Sequence, residues 1–395
     1  MLKLSLVFTA AFLTSVSLGD AQELRTALIP QDVVSHVMSL SPTVAASHCR
    51  VSSLRGYLSQ RPPARVRGYN SRMDNAASVE GARTLERMTS DFSRAAAFAF
   101  VSRDAAAKRD ILDFLVHLAR ANAFTDTTVC VRGGQLLSSC TEWTRPDGAD
   151  LSTMKDFSAV QMAISSMQRG YYLAAANFQT SERAADHQIV QNWFNVFNGR
   201  MKRPTDVYFG LQMGWYWPSI DIAVAQRGSS AGRSTAGRLA RGFNKLVLND
   251  GSMRDRTTRG DRALWYHNSS INELVHSLEM IRATGASIPA SLERKLHVAV
   301  NLFVRSVGDH SVIDPWARQA VNARYTPNRQ NWPRDWQNTS WGGSWWHIYA
   351  YRYPERPEAQ WLRRAVRPNS GSAFADQEIG VGVGCIYNAA SAARR

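Results

Sequence analysis

The sequence predicts an all-α protein made of many antiparallel helices joined by short polar loops. Three observations carry this. Apolar residues recur at helical spacing from about residue 90 onward, strand-like alternation is sparse, and no Pro/Ser-rich linker or fixed-period repeat divides the 395 residues. A chain of this length is ample for a sizeable core, and one large domain is the expected organisation.

The elements follow in order. Residues 1–21, within "MLKLSLVFTAAFLTSVSLGDAQE", have the layout of a secretory signal peptide: one lysine, an apolar run, then small residues with cleavage expected after Ala21. The run is too short and weakly flanked for an anchor, and no later run of about 18 apolar residues appears. The mature protein is therefore expected to be periplasmic or secreted, with no membrane insertion after cleavage. Residues 22–90 read as an N-terminal segment. Within it "LSQRPPARVRGYNSRMDNAASVEG" (58–81) is rich in Arg, Pro, Gly and Asn and reads as a long loop. Loops of that length are usually functional or disordered. With Arg65, Arg67, Tyr69 and Arg72 on it, this one either closes over an anionic ligand or forms a disordered basic arm.

Residues 91–395 carry the helical pattern. The stretch 91–124 reads as a helix pair. Residues 151–178 place Met154, Phe157, Val160, Ile164 and Met167 on one stripe, and 186–201 add another helix. Further helices are expected at about 216–226, 231–247, 262–284, 289–306 and 357–366. The stretch "NWPRDWQNTSWGGSWWHIYAYRYPE" (331–355) holds five tryptophans and three tyrosines. Such residues either fill a core or form a partly exposed platform for sugar rings. Trp345 is the candidate stacking residue on the second reading.

Four cysteines suit an oxidising compartment and permit three pairings. Cys130 and Cys140 flank a short turn-forming segment, which makes a local bridge the simplest choice; Cys49 with Cys385 then follows by elimination. The net charge is +15, and arginine (41) far outnumbers lysine (6). Guanidinium groups match carboxylates and phosphates two bonds at a time. Outside the cell the corresponding polyanion is an acidic polysaccharide before it is nucleic acid. A GC-rich coding sequence would give the same composition.

Scattered histidines, with no HExxH and no paired Cys-x-x-Cys, give no support for a metal, and no cofactor is implied. Gly-rich phosphate loops and a G-x-S-x-G elbow are absent. A glycoside hydrolase needs two placed carboxylates; Asp221, Glu273 and Asp335 are available, but nothing in their spacing singles them out.

The segment "RGDRALWYHNSSINELV" (259–275) is the informative one. If helical, Arg259, Arg262 and Tyr266 are spaced i, i+3, i+7 and share a face. Positive charge beside the phenol favours its ionised form, and a tyrosine so prepared acts as a base. The alternative is a surface arginine pair above a packed tyrosine.

"DGSMRDRTTRGDRALWYHNSSINELVHSLEMIRATG" (250–285) resembles the alginate lyase family in its Asp-Gly, polar stretch and Arg-x-x-Arg-Ala-Leu-x-Tyr-His-Asn. "WWHIYAYRYPE" (345–355) resembles that family's aromatic ending. The resemblance implies an (α/α) toroid, an incomplete barrel of antiparallel helical hairpins with a cleft for an acidic glycan. It also implies a polysaccharide lyase, with Tyr266 as catalytic base and acid and Arg259 assisting; a monomer is the expected state. The family's carboxylate-neutralising motif corresponds to "QMGWYW" (212–217): Tyr216 and Trp217 match, Gln212 supplies an amide donor, and Gly214 stands where a histidine is expected. The basic loop "RGYNSR" (67–72) loosely resembles the family's lid loop, with Tyr69 in place and Gly68 where a lysine is expected; Arg67 and Tyr69 are the substrate-binding candidates on it. The implied reaction is syn β-elimination on a D-uronate polymer, polymannuronate or glucuronan-like. The alternative is a non-catalytic relative that binds or guides an acidic exopolysaccharide during export.

Overall fold

The computed structural model describes residues 29–66, 76–126, 131–132, 135–136, 151–200, 230–321, 323–338, 342–374 and 382–394. The expected signal peptide, the loop residues Arg67, Tyr69 and Arg72, the Cys130/Cys140 pair and the whole "QMGWYW" segment, with Gln212 and Trp217, lie outside them. So does the helix expected at 216–226.

Among the described residues eleven longer helices form the body: α1 Gln31–Ser39, α2 Ala76–Ser102, α3 Ala105–Arg120, α4 Leu151–Gly170, α5 Ala184–Arg200, α6 Ser230–Leu246, α7 Ala263–Ala283, α8 Ala290–Gly308, α9 Ser344–Arg352, α10 Pro357–Ala365 and α11 Gly384–Ala393. The only strands among the described residues are Val131–Arg132 and Gln135–Leu136, paired antiparallel. The architecture is the all-α (α/α) toroid.

The helices arise from local chemistry. Arg103, in the left-handed region (φ 58°), breaks α2 from α3. Asp104 then caps α3 by accepting from the Ala106 amide at 2.8 Å. Arg103 itself donates to the carbonyls of Val37, Met38 and Leu40, placing a cation at the negative end of α1. Two cores result. Phe92, Ala96, Leu112, Phe114, Ile164 and Phe194 belong to the first. Leu264, Leu274, Leu278, Phe303, Trp345 and Ile386 belong to the second. Helix α2 is the shared wall, since Ala95, Ala96 and Ala99 face the first core while Ala97, Phe100 and Val101 face the second.

The N-terminal residues are integral to this body. Helix α2 begins at Ala76, inside the stretch expected to be loop, and continues through residue 90. Leu54 and Val66 are buried. A disulfide joins Cys49 to Cys385 on α11, with Cα atoms 5.1 Å apart across 336 residues of sequence.

Candidate active site

Helix α7 lies at the centre, packed against α6, α8 and α9. Nearly every side chain from Ala263 to Ala283 is buried, including the polar His267, Asn268, Asn272, Glu273 and His276. Helices buried all round are the innermost elements of a fold. Tyr266, half-buried, stands on its first turn.

The start of α7 is built by two loops. In the first, Asp250 accepts from the Ser252 amide (2.9 Å) and hydroxyl (2.6 Å) and from the Trp316 indole (3.2 Å). Burial pushes the Asp250 carboxyl up, but the Ser252 donors outweigh it and hold the group below its ordinary value. Thr257, fully buried, accepts from the Met253 amide at 2.7 Å. His267 on α7 donates through Nε2 to the Ala299 carbonyl (3.0 Å), and its Nδ1 lies 3.5 Å from Thr257 Oγ1. The histidine thus fixes the loop against α7 and α8. Its outcome is that Arg256 and Arg259 both reach Tyr266, their guanidinium carbons 5.6 and 5.3 Å from the ring centroid. Arg259 is steadied by Asp255, bonding its carbonyl and carboxylate at 2.8 Å each.

The second loop, residues 323–331, is clamped onto the 3₁₀ turn Gly260–Arg262 that precedes α7. The Asp261 amide donates to the Arg324 carbonyl (2.7 Å), the Thr326 amide to the Asp261 carboxylate (2.6 Å), and the Asn331 amide to the Asp261 carbonyl (2.6 Å). Gln330 caps the helix by accepting from the Leu264 amide at 3.0 Å. Between turn and loop opens a cavity of about 560 Å³ lined by Arg259, Arg262, Arg324 and Arg329, with Asn331 and Trp332. Asp261 is its single lining carboxylate among the described residues. Four guanidinium groups against one carboxylate give a site for a polyanion.

Further along α7 the polar stripe continues inward: His276 Nε2 bonds the Ser344 hydroxyl at 2.7 Å. Burial, and then the charge of Arg169, push this histidine well below its ordinary value. No group of His, Cys, Asp and Glu arranged to hold a metal occurs among the described residues.

No family model and no curated protein matches the chain. Solved structures do. Alginate lyase A1-III from Sphingomonas species A1 superposes with a TM-score of 0.56 at 16% identity, over 90% of this chain and 97% of that one. Substituted forms of that enzyme complexed with a tetrasaccharide give 0.55 at 14% identity, over 92% and 96%, and 0.57 at 15%, over 91% and 95%. This chain has the alginate lyase fold. The likeness spans nearly the whole length of both chains.

Within the alginate lyase fold, the expected residues divide. Tyr266 and Arg259 come together as their spacing and the motif suggest, although Arg259 lies in the 3₁₀ turn's cap and not on a continuous helix. Arg262 is exposed and turns to the arginine-lined cavity; the second guanidinium at Tyr266 is Arg256 instead. Trp345 requires correction. Its side chain is fully buried and donates to Asn268 Oδ1 at 3.0 Å, so it offers no ring face to a sugar. Trp346, Tyr349 and Tyr351 are equally buried; of that aromatic group Trp332 lines the cavity. Arg256, Arg324 and Arg329 were not signalled by spacing. An arginine count in the Asp-Gly loop and near residue 325 is the only trace they leave in the sequence.

Proposed function

We propose that this protein is an exported polysaccharide lyase that cleaves an acidic D-uronate polymer, polymannuronate or glucuronan-like, by syn β-elimination. The observation that carries the reading is Tyr266 at the mouth of α7 with Arg256 and Arg259 against its ring, beside a cavity lined by four arginines. Export is supported by the leader-like residues 1–21 and by the Cys49–Cys385 bridge. No helix among the described residues is long and apolar enough to cross a membrane.

In this mechanism Tyr266 removes the proton from C5 of the uronate. The C5–H electron pair becomes the C4=C5 double bond, the C4–O bond breaks, and Tyr266 returns the proton to the departing glycosidic oxygen. One residue serves both steps because proton and leaving group lie on the same face of a D-mannuronate or D-glucuronate ring. The uronate carboxylate resists carbanion formation beside it. Cations fixed before the reaction, here Arg256 and Arg259, stabilise the enolate-like intermediate. The cavity arginines bind neighbouring carboxylates of the polymer.

The deciding measurement is ultraviolet absorbance of the mature protein incubated with polymannuronate, polyguluronate and glucuronan. Absorbance from the conjugated C4=C5 bond should rise on a D-uronate polymer, and Tyr266→Phe should lower the rate at least about a hundredfold while polymer binding persists. Binding without an unsaturated product on any polymer would replace the lyase with a non-catalytic glycan-binding protein.

A further inference from the structure

A second cavity, of about 660 Å³, lies between α9, α10 and α11, with Arg363 and Arg394 on its wall. Its size is that of a site for one or two sugar units. The two guanidinium groups are anchored to adjacent carbonyls at the C-terminal end of α9: Arg363 donates to Ala350 O at 2.7 Å and Arg394 to Tyr351 O at 3.1 Å. Arg394 also lies 4.6 Å from the Tyr351 ring centroid. The bland account is that both simply cap the helix. That account leaves charge over, because a helix end carries about half a negative charge against two full positive ones.

Among the described residues no Asp or Glu lines this cavity. Several other arginines are paired with carboxylates: Arg183 with Asp113, Arg259 with Asp255, Arg282 and Arg352 with Glu279. Arg363 and Arg394 have no carboxylate partner among the described residues. Each guanidinium has five N–H donors, of which the helix end takes one. The walls are firm, since Tyr351 bonds His36 at 2.9 Å and Trp346 donates to Asn268 Oδ1 at 3.3 Å. His48 and Ser391 supply further polar groups at the edge.

We infer that this cavity is a second carbohydrate site that takes a carboxylate-bearing sugar, its carboxylate between Arg363 and Arg394 and its hydroxyls toward His48 and Ser391. The choice of a uronate over other oxyanions rests on the proposed function; the anion site itself does not. Calorimetric titration of the full chain with D-glucuronate, D-glucose and sulfate tests it, in an Arg259→Gln, Arg262→Gln, Arg324→Gln, Arg329→Gln background that removes the guanidinium groups of the first cavity. Binding of D-glucuronate should persist in that background, exceed that of sulfate and D-glucose at least tenfold, and fall at least tenfold when Arg363→Gln and Arg394→Gln are added. Ser391→Trp, which places a bulky ring in the cavity from α11, should cause the same loss even if the double variant fails to fold. Unchanged D-glucuronate binding in folded Ser391→Trp overturns the site. Equal binding of sulfate overturns its assignment to a sugar. Arg363- and Arg394-dependent binding in a protein whose wild type yields no unsaturated product would refute the lyase and leave this site standing.

Discussion

Arg256 is the residue whose role the sequence conceals most. It stands ten positions before Tyr266, at no helical spacing from it, and arrives at the ring only because Thr257 and His267 fold the loop back. Tyr266 and Arg259 were legible because a short motif holds both. Arg256→Gln should lower the rate of the proposed lyase by about ten- to a hundredfold, the worth of one charge-assisted contact. A rate within twofold of wild type would remove Arg256 from the site. The buried histidines make a separate prediction. Burial holds His267 and His347 at about 4, below the ordinary 6.5. The unfolded chain therefore binds these protons more readily than the folded one. Their contribution to stability is complete above about pH 6.5 and is lost as pH falls toward 4, up to about 3 kcal/mol for each. Thermal midpoints measured between pH 7 and pH 4 should fall steeply through that window, and His347→Gln should flatten part of the slope; an equal slope in that variant would count against it.

Among the elements, α7 and the loop 323–331 form one unit whose tightest point is Gly260. Its φ is +57°, and an added Cβ would lie 1.9 Å from the Arg324 carbonyl oxygen. Gly285, just past the other end of α7, has φ +76° but open space around it. Gly260→Ala should thus cost more than the roughly 1 kcal/mol of backbone strain expected for Gly285→Ala. It should also depress lyase activity through displacement of Arg259 and Arg324, whereas Gly285→Ala should leave activity intact. Differential scanning calorimetry with rate measurements on both variants decides this, and equal losses would refute the clamp. Helical periodicity revealed α3, α6, α8 and α10 because each has a wet face and a dry one. It missed α9, where every residue from Ser344 to Tyr351 is buried, so there is no polar face to mark the period. The same burial explains why its tryptophans resembled a sugar platform: core and platform draw on the same residues, and only solvent exposure separates them. The cavity walls were hidden for another reason, since Asp261 and Thr326 meet across 65 residues of sequence.

At the scale of the whole molecule, the ends of the chain interlock. Arg352 pairs with Glu279 on α7 and with Asp32 on α1, while Tyr387 on α11 also donates to Glu279. The Cys49–Cys385 bridge adds a covalent tie to the same region. In the sequence that pairing follows only by elimination from an expected Cys130–Cys140 bridge; helix α2 runs through residue 90 and serves both cores. Replacing Cys49 and Cys385 by serine should destabilise the protein by about 2–5 kcal/mol, the usual worth of closing a long loop. Chemical denaturation with and without the bridge measures it, and coincident curves would show that the ion pairs alone hold the ends. The bridge also decides how the molecule bears a load. Tension applied between residues 29 and 394 would pass through one sulfur–sulfur bond and bypass the chain from residue 50 to residue 384, so α7 would carry load only through side-chain contacts such as Tyr387 with Glu279.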